Sequence, residues 1–165
     1  MSIGSLYQYF PNKDALLYAL GERHLRHVAA GLAAVAQELR RTGPTLPATV
    51  NTVIRAIADL HRAEPAMHRL LYDQAPRPAE AAAQLREMQR LIASEIEYHL
   101  RRLEVGGPDQ RLTALLLVQG VEAQLHGAVL DPPDGCTTDE AIDAVVRLCV
   151  GGLERSRLPE RVRHG

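Results

Sequence analysis

The sequence has no tryptophan, one phenylalanine, two cysteines and a single lysine, Lys13. Each shortage excludes something. Cys136 and Cys149 stand in no CxxC pair, so neither a zinc site nor a secreted disulfide framework is indicated, and free thiols in a reducing compartment are expected. The net charge of −1 rules out a polycation, so any contact with nucleic acid has to come from a local patch. No stretch approaches the ~20 apolar residues of a membrane span. No charged segment leads into an apolar run of the kind that targets secretion. A soluble, cytoplasmic protein with no membrane partner is expected. The sequence also lacks a Gly-rich phosphate loop, an HExxH and a GxSxG. Helical di-iron sites need ExxH repeats, and Glu95-Ile96-Glu97-Tyr98-His99 is wrongly spaced for one. No enzyme, cofactor or metal site is expected.

What remains is rich in Ala and Leu, with 46% apolar residues and no period-2 alternation. That composition predicts an all-α protein. Pro and Gly cluster at Pro11, Gly43-Pro44, Pro65, Pro76 to Pro78, Gly106 to Pro108 and Pro132 to Gly135, and they punctuate the helices. Between them the spacing predicts a short helix from Ile3 to Tyr9, N-capped by Ser2, and a long one from Lys13 to about Arg41, N-capped by Asn12. Further helices are predicted from about Pro47 to Arg62, from Pro65, from about Pro78 to Leu103, from Asp109 to about Leu130, and from Thr138 to about Leu158.

The last two helices stand apart. Apolar residues run most of the way round the helix of Leu112 to Leu130, so more than one of its faces should be buried. The final helix has one stripe of Ile142, Val145, Val146, Cys149 and Leu153 and another of small residues. These two helices are expected to form a two-fold homodimer seam through Leu116, Val121, Leu125, Ile142, Val145, Val146, Cys149 and Leu153. The alternative is the central hairpin of a monomer.

The opening run Ser2-Ile3-Gly4-Ser5-Leu6-Tyr7-Gln8-Tyr9-Phe10-Pro11-Asn12-Lys13-Asp14-Ala15-Leu16-Leu17 carries the most specific signal. Ile3, Leu6 and Phe10 form one face, with Ser2, Ser5, Gln8 and Tyr9 opposite and Gly4 leaving room for close approach. Ser and Gln can hydrogen-bond base edges, while Tyr and Lys bind phosphate. The run resembles the recognition-helix motif of the tetracycline-repressor (TetR/AcrR) family of bacterial regulators. The resemblance implies a TetR-like all-α fold, with a helix-turn-helix remnant over 1–20 and a ligand-sensing and dimerising domain over 21–165. It implies that Ser5, with Ser2 and Gly4, meets bases and that Tyr7, Tyr9 and Lys13 clamp phosphates; Gln8 is added as a DNA contact by its side-chain chemistry. It further implies a ligand-responsive repressor that binds operator DNA as a homodimer and releases it when a small hydrophobic inducer moves the long linking helix. The rival reading is a dimeric ligand- or protein-binding module that does not bind DNA.

The family places two helices ahead of the recognition helix, and the sequence as given begins after them. Uncovering even ~300 Å² of apolar surface costs on the order of 7 kcal/mol. Residues 1 to about 10 are therefore expected to be disordered, reshaped or covered by a neighbouring chain, with operator binding impaired. A cut chain, a late start of numbering and a mis-assigned start codon are the three explanations, the first and last favoured.

For the inducer, Gln119, Glu122 and His126 form a polar stripe on an apolar helix and could face a ligand, a dimer mate or solvent. His61, His68 and Tyr72 lie on apolar faces, as ligand contacts or as satisfied structural groups. Met88 and Ile92 read as core or pocket wall. His24 and His27 are three apart and read as a solvated face rather than a metal pair. The arginines at 155, 157, 161 and 163 read as a favourable cation cluster at a helix end.

Overall fold

The computed structural model describes residues 10–74 and 79–157, without the side chains of 72–74 and 79–81. The expected recognition helix, Ile3 to Tyr9, lies outside the described residues. So do the arginines at 161 and 163. Among the described residues there are six helices and no strand: α1 (Lys13–Thr42), α2 (Leu46–Ala63), α3 (Pro65–Gln74), α4 (Ala79–Arg102), α5 (Gln110–Leu130) and α6 (Thr138–Arg155).

Local chemistry fixes most of these ends. Asn12 caps α1 by accepting the Ala15 backbone N–H at 2.8 Å, and Gly43 closes it in the left-handed conformation (φ 57°), returning its N–H to the Leu39 carbonyl. The domain boundary expected at residue 20 falls inside this continuous helix. Asp109 caps α5 by accepting the Leu112 N–H at 2.9 Å. Thr137 and Glu140 start α6 with a reciprocal capping box. The α4–α5 turn depends on glycine. Gly106 has φ 93°, and a Cβ there would meet the Leu100 Cδ1 at 3.1 Å. The Gly106 and Gly107 N–H groups donate to the Ser156 Oγ and carbonyl, both at 2.9 Å, which ties this turn to the end of α6.

Helix α2 is the central element, packed against α1, α3, α5 and α6, while α4 lies along α5 and also touches α1. Two groups of buried side chains sit at different levels along α2. One gathers Leu46, Ala93, Leu100, Val105, Ala114 and Leu153. The other gathers Ile54, Ala58, Leu125, Ala128, Ile142 and Val145, and Val50 packs against both. Full burial of side chains such as Leu125, Ile142 and Val105 stabilises by about 1.5–3 kcal/mol each.

Two sequence expectations change here. By length and composition, Gln110–Leu130 is long and apolar enough to cross a membrane. It packs against α2, α3, α4 and α6, with Ala114, Leu125, Ala128 and Leu130 buried and Leu112 and Leu116 exposed. In the expected dimer seam, Leu125, Ile142, Val145 and Leu153 are buried inside the chain's own core and have no surface left for a second chain. Val121, Val146 and Cys149 are half-buried against the same core. Leu116 is the exception, 59% exposed, and it is joined on the outside of this pair by Leu112 (52%) and Leu148 (66%).

Candidate functional site

A cavity of about 600 Å³ lies among α1, α2, α4, α5 and α6, with α3 at one end. That is within the range of small-molecule sites, about 300–1,000 Å³. Its walls follow from helical periodicity. On α1 the wall is built by Leu17, Gly21, His24, Val28 and Leu32, and on α2 by Thr49, Val53, Ile57, Leu60 and His61. Positions three and four apart repeat along one face of a helix. Met88, Ile92 and Ile96 close the α4 side, with Val121 from α5 and Cys149 from α6. Burial pushes the Cys149 thiol up, so it stays protonated and unreactive.

One end of this apolar space is polar. His24 meets His68 edge-on with ring centroids 4.3 Å apart, His68 stacks on His61 at 4.1 Å, and His126 stands 6.0 Å from His61. The Nδ1 of His61 lies 2.9 Å from the Ile57 carbonyl oxygen. A carbonyl only accepts, so Nδ1 carries a proton and donates it. The Nε2 of His61 points to Glu122 at 3.5 Å, the outer limit of hydrogen-bond reach. Glu122 keeps 55% of its side-chain surface while lining the cavity. Among the described residues, the His24 Nδ1, His61 Nε2 and His68 Nε2 here, and the His99 Nε2 further along the cavity, are buried without a hydrogen-bond partner. Glu64 approaches the His24 Nδ1 at 3.9 Å.

The electrostatics divide these rings. Burial, then the neighbouring His61 and His24, pushes His68 down to about 4, so it is neutral near pH 7. Burial also lowers His24, outweighing the pull of Glu64. For His61 burial acts downward, yet the Glu122 carboxylate and the Ile57 carbonyl outweigh it and the net direction is up. Glu122 is held below the usual carboxylate range, chiefly by His61. The polar end therefore presents an ionised carboxylate beside His61, whose protonation it favours, together with the neutral His68 and a His24 lowered by burial. Among the described residues, no three His, Cys, Asp or Glu side chains stand in an arrangement that could hold a metal ion.

At the other end of α2 a second network joins α1 to α4. Arg40 grips Glu95 with two hydrogen bonds of 2.7 and 2.6 Å, and its guanidinium lies 4.2 Å over the Tyr98 ring. Glu95 in turn faces the His99 Nε2 at 3.4 Å. Arg102 donates to the Thr49 Oγ1 at 3.2 Å. Thr49 and His99 both line the cavity, so the cavity wall and the C-terminal part of α1 share one set of contacts.

Of the residues singled out as ligand contacts, the structure brings His61, His68, Met88, Ile92, Glu122 and His126 to one cavity. It does not bring Gln119 there. That side chain is exposed and borders a smaller cavity of about 180 Å³ with Arg86, Gln89 and Arg90. The side chain of Tyr72 lies outside the described residues. Of the expected DNA contacts, Ser2, Gly4, Ser5, Tyr7, Gln8 and Tyr9 also lie outside them. Lys13 is exposed at the first position of α1.

The residue that sequence reasoning misplaced is His24. It is 10% exposed at its side chain, whereas His27 is exposed. The signal was present. His24 lies seven residues after Leu17 and four before Val28, in register with the apolar stripe of α1, while His27 is out of register.

No curated protein shows significant sequence similarity to the chain. A family model described as the tetracyclin repressor-like C-terminal domain matches residues 45–153, a span that holds α2 to α5 and all but the last turn of α6. With an all-α fold, an apolar cavity with a polar end, and this match over most of its length, the chain belongs to the tetracyclin repressor-like C-terminal domain family.

Proposed function

We propose that the chain is the sensing part of a ligand-responsive transcriptional regulator, a repressor that binds operator DNA as a homodimer. The observation that carries this reading is the cavity whose wall includes α1. Four turns of α1, from Leu17 to Leu32, face the same space as α2 and α4, and Lys13 begins that helix directly after the motif of residues 2–12. A molecule that fits the cavity better in one position of α1 than in another shifts the helix toward that position. Movement of α1 changes the separation of two DNA readers, which must match successive major grooves. Pairing through the exposed Leu112, Leu116 and Leu148 supplies the second reader.

The test is uptake of a neutral apolar fluorophore, N-phenyl-1-naphthylamine. The wild-type protein should take it up saturably at one site per chain. Val53→Trp, which fills the middle of the cavity, should abolish uptake with helicity by circular dichroism unchanged. Absence of saturable uptake by the wild type, or undiminished uptake by a folded Val53→Trp, would overturn the reading.

A further inference from the structure

The polar end of the cavity selects the chemistry of its occupant, and the argument rests on reading the cavity as a ligand site. From the converging acceptors we infer that the ligand is an elongated lipophilic amine, its protonated head set against Glu122 and the imidazoles of His24, His61 and His68. Length comes from α2. Its lining face runs from Leu46 to His61, about 22 Å of helix at roughly 1.5 Å per residue. The space beside that face is walled by aliphatic side chains such as Val53, Met88 and Ile92; His24, His61, His68 and His126 occupy one end of it, and Thr49 and His99 line the other. This shape suits an alkyl or alkyl-aryl tail whose polar head lies among the four histidines.

The head is identified by what the site offers. The His24 Nδ1, His61 Nε2 and His68 Nε2 are buried polar atoms with no hydrogen-bond partner among the described residues, and leaving such atoms unpaired is costly. The His61 Nδ1 already gives its proton to the Ile57 carbonyl, so in the neutral ring the free Nε2 is an acceptor. Glu122 adds a carboxylate 3.5 Å from that atom, and Glu64 adds a second negative charge 3.9 Å from His24. An ammonium group has three donors and no acceptor, so it complements a set of ring lone pairs and a carboxylate. It also brings a positive charge to the Glu122 carboxylate that lines the cavity.

Other heads fit less well. A carboxylate head would face Glu122 as a like charge. Its one strong partner in the cavity wall would be Arg86, which is exposed on α4 and also borders the smaller cavity beside Gln119. An alcohol can donate only once and brings no charge to Glu122.

The test compares three probes of equal tail length, decylamine, decanol and decanoate, by isothermal titration calorimetry at pH 7.5 below micellar concentrations. The chain is used as it stands, beside Glu122→Gln. Decylamine should bind one per chain and at least tenfold more tightly than either other probe. In Glu122→Gln that preference should fall below threefold, with decanol affinity unchanged. Equal or tighter binding of decanol or decanoate by the wild type overturns the amine while leaving the cavity a ligand site. A preference that survives in a folded Glu122→Gln overturns the assignment of the head. If none of the three binds, both the amine and the reading of the cavity fall. Because the wild-type series decides the head group by itself, a variant that folds poorly does not remove the test.

Discussion

At the scale of single residues, the histidines have the largest consequences. Four of them, His24, His61, His68 and His126, meet at the polar end of the cavity, and burial lowers two, His24 and His68. An unfolded histidine protonates near 6.5, whereas folded His68 holds off until about 4. Between those values the unfolded chain binds more protons than the folded one, so stability falls as pH falls. His24 and His99, both lowered by burial, act in the same direction. His61, raised overall, contributes stability below its ordinary value and opposes them. The melting temperature by calorimetry should therefore be lower at pH 5 than at pH 7.5, and the drop should be smaller in His68→Phe. An equal drop in that variant would show that His68 is not the neutral buried group.

How far this site could be read from sequence varies residue by residue. His61 follows Ile54 and Ile57 on one face of α2, so periodicity alone turns it inward. Glu122 and His126 are four apart on α5, and their shared face is equally plain. Gln119 extends the same stripe by one turn, yet the structure leaves it outside the cavity, because α5 lies along α4 there and the side chain faces Arg86 and Gln89. Periodicity gives a direction from a helix axis and does not say which neighbour stands in that direction.

At the scale of elements, the helix ends rest on short-range chemistry, which is why sequence placed them closely. Asn12, Asp109 and Thr137 each accept a backbone N–H two or three residues inside the helix that follows. Asn12→Ala should cost about 1 kcal/mol, within the usual spread for a lost cap. Urea denaturation followed at 222 nm would measure it, and an unchanged midpoint would show that α1 is held at this end by packing alone. The long α1 does more than join two parts. It supplies one wall of the cavity near its start and grips Glu95 of α4 through Arg40 near its end.

At the scale of the whole molecule, the exposed leucines of α5 and α6 matter most. A helix as apolar as α5 needs cover on most sides. The chain's own helices cover Ala114, Leu125, Ala128 and Leu130 and leave Leu112 and Leu116 largely open. Leu148 of α6 is likewise exposed, and pairing of two copies through these leucines is the expectation to test. Leu116→Arg combined with Leu148→Arg should convert a dimer to a monomer in sedimentation velocity, with helical content unchanged. A monomeric wild type, or a variant that stays dimeric, would refute this pairing.

Sequence by itself determined the helical class, the helix boundaries and the inward faces, because these depend on contacts within a few residues of each other. Only the tertiary structure decided which inward faces enclose a cavity and which close into solid core. Leu125 and Ile142 meet and fill their space completely, whereas Val53, Met88 and His24 face one another across a gap. The same pattern of apolar residues serves both outcomes. Only the distance between helix axes, set by all the other contacts together, distinguishes them.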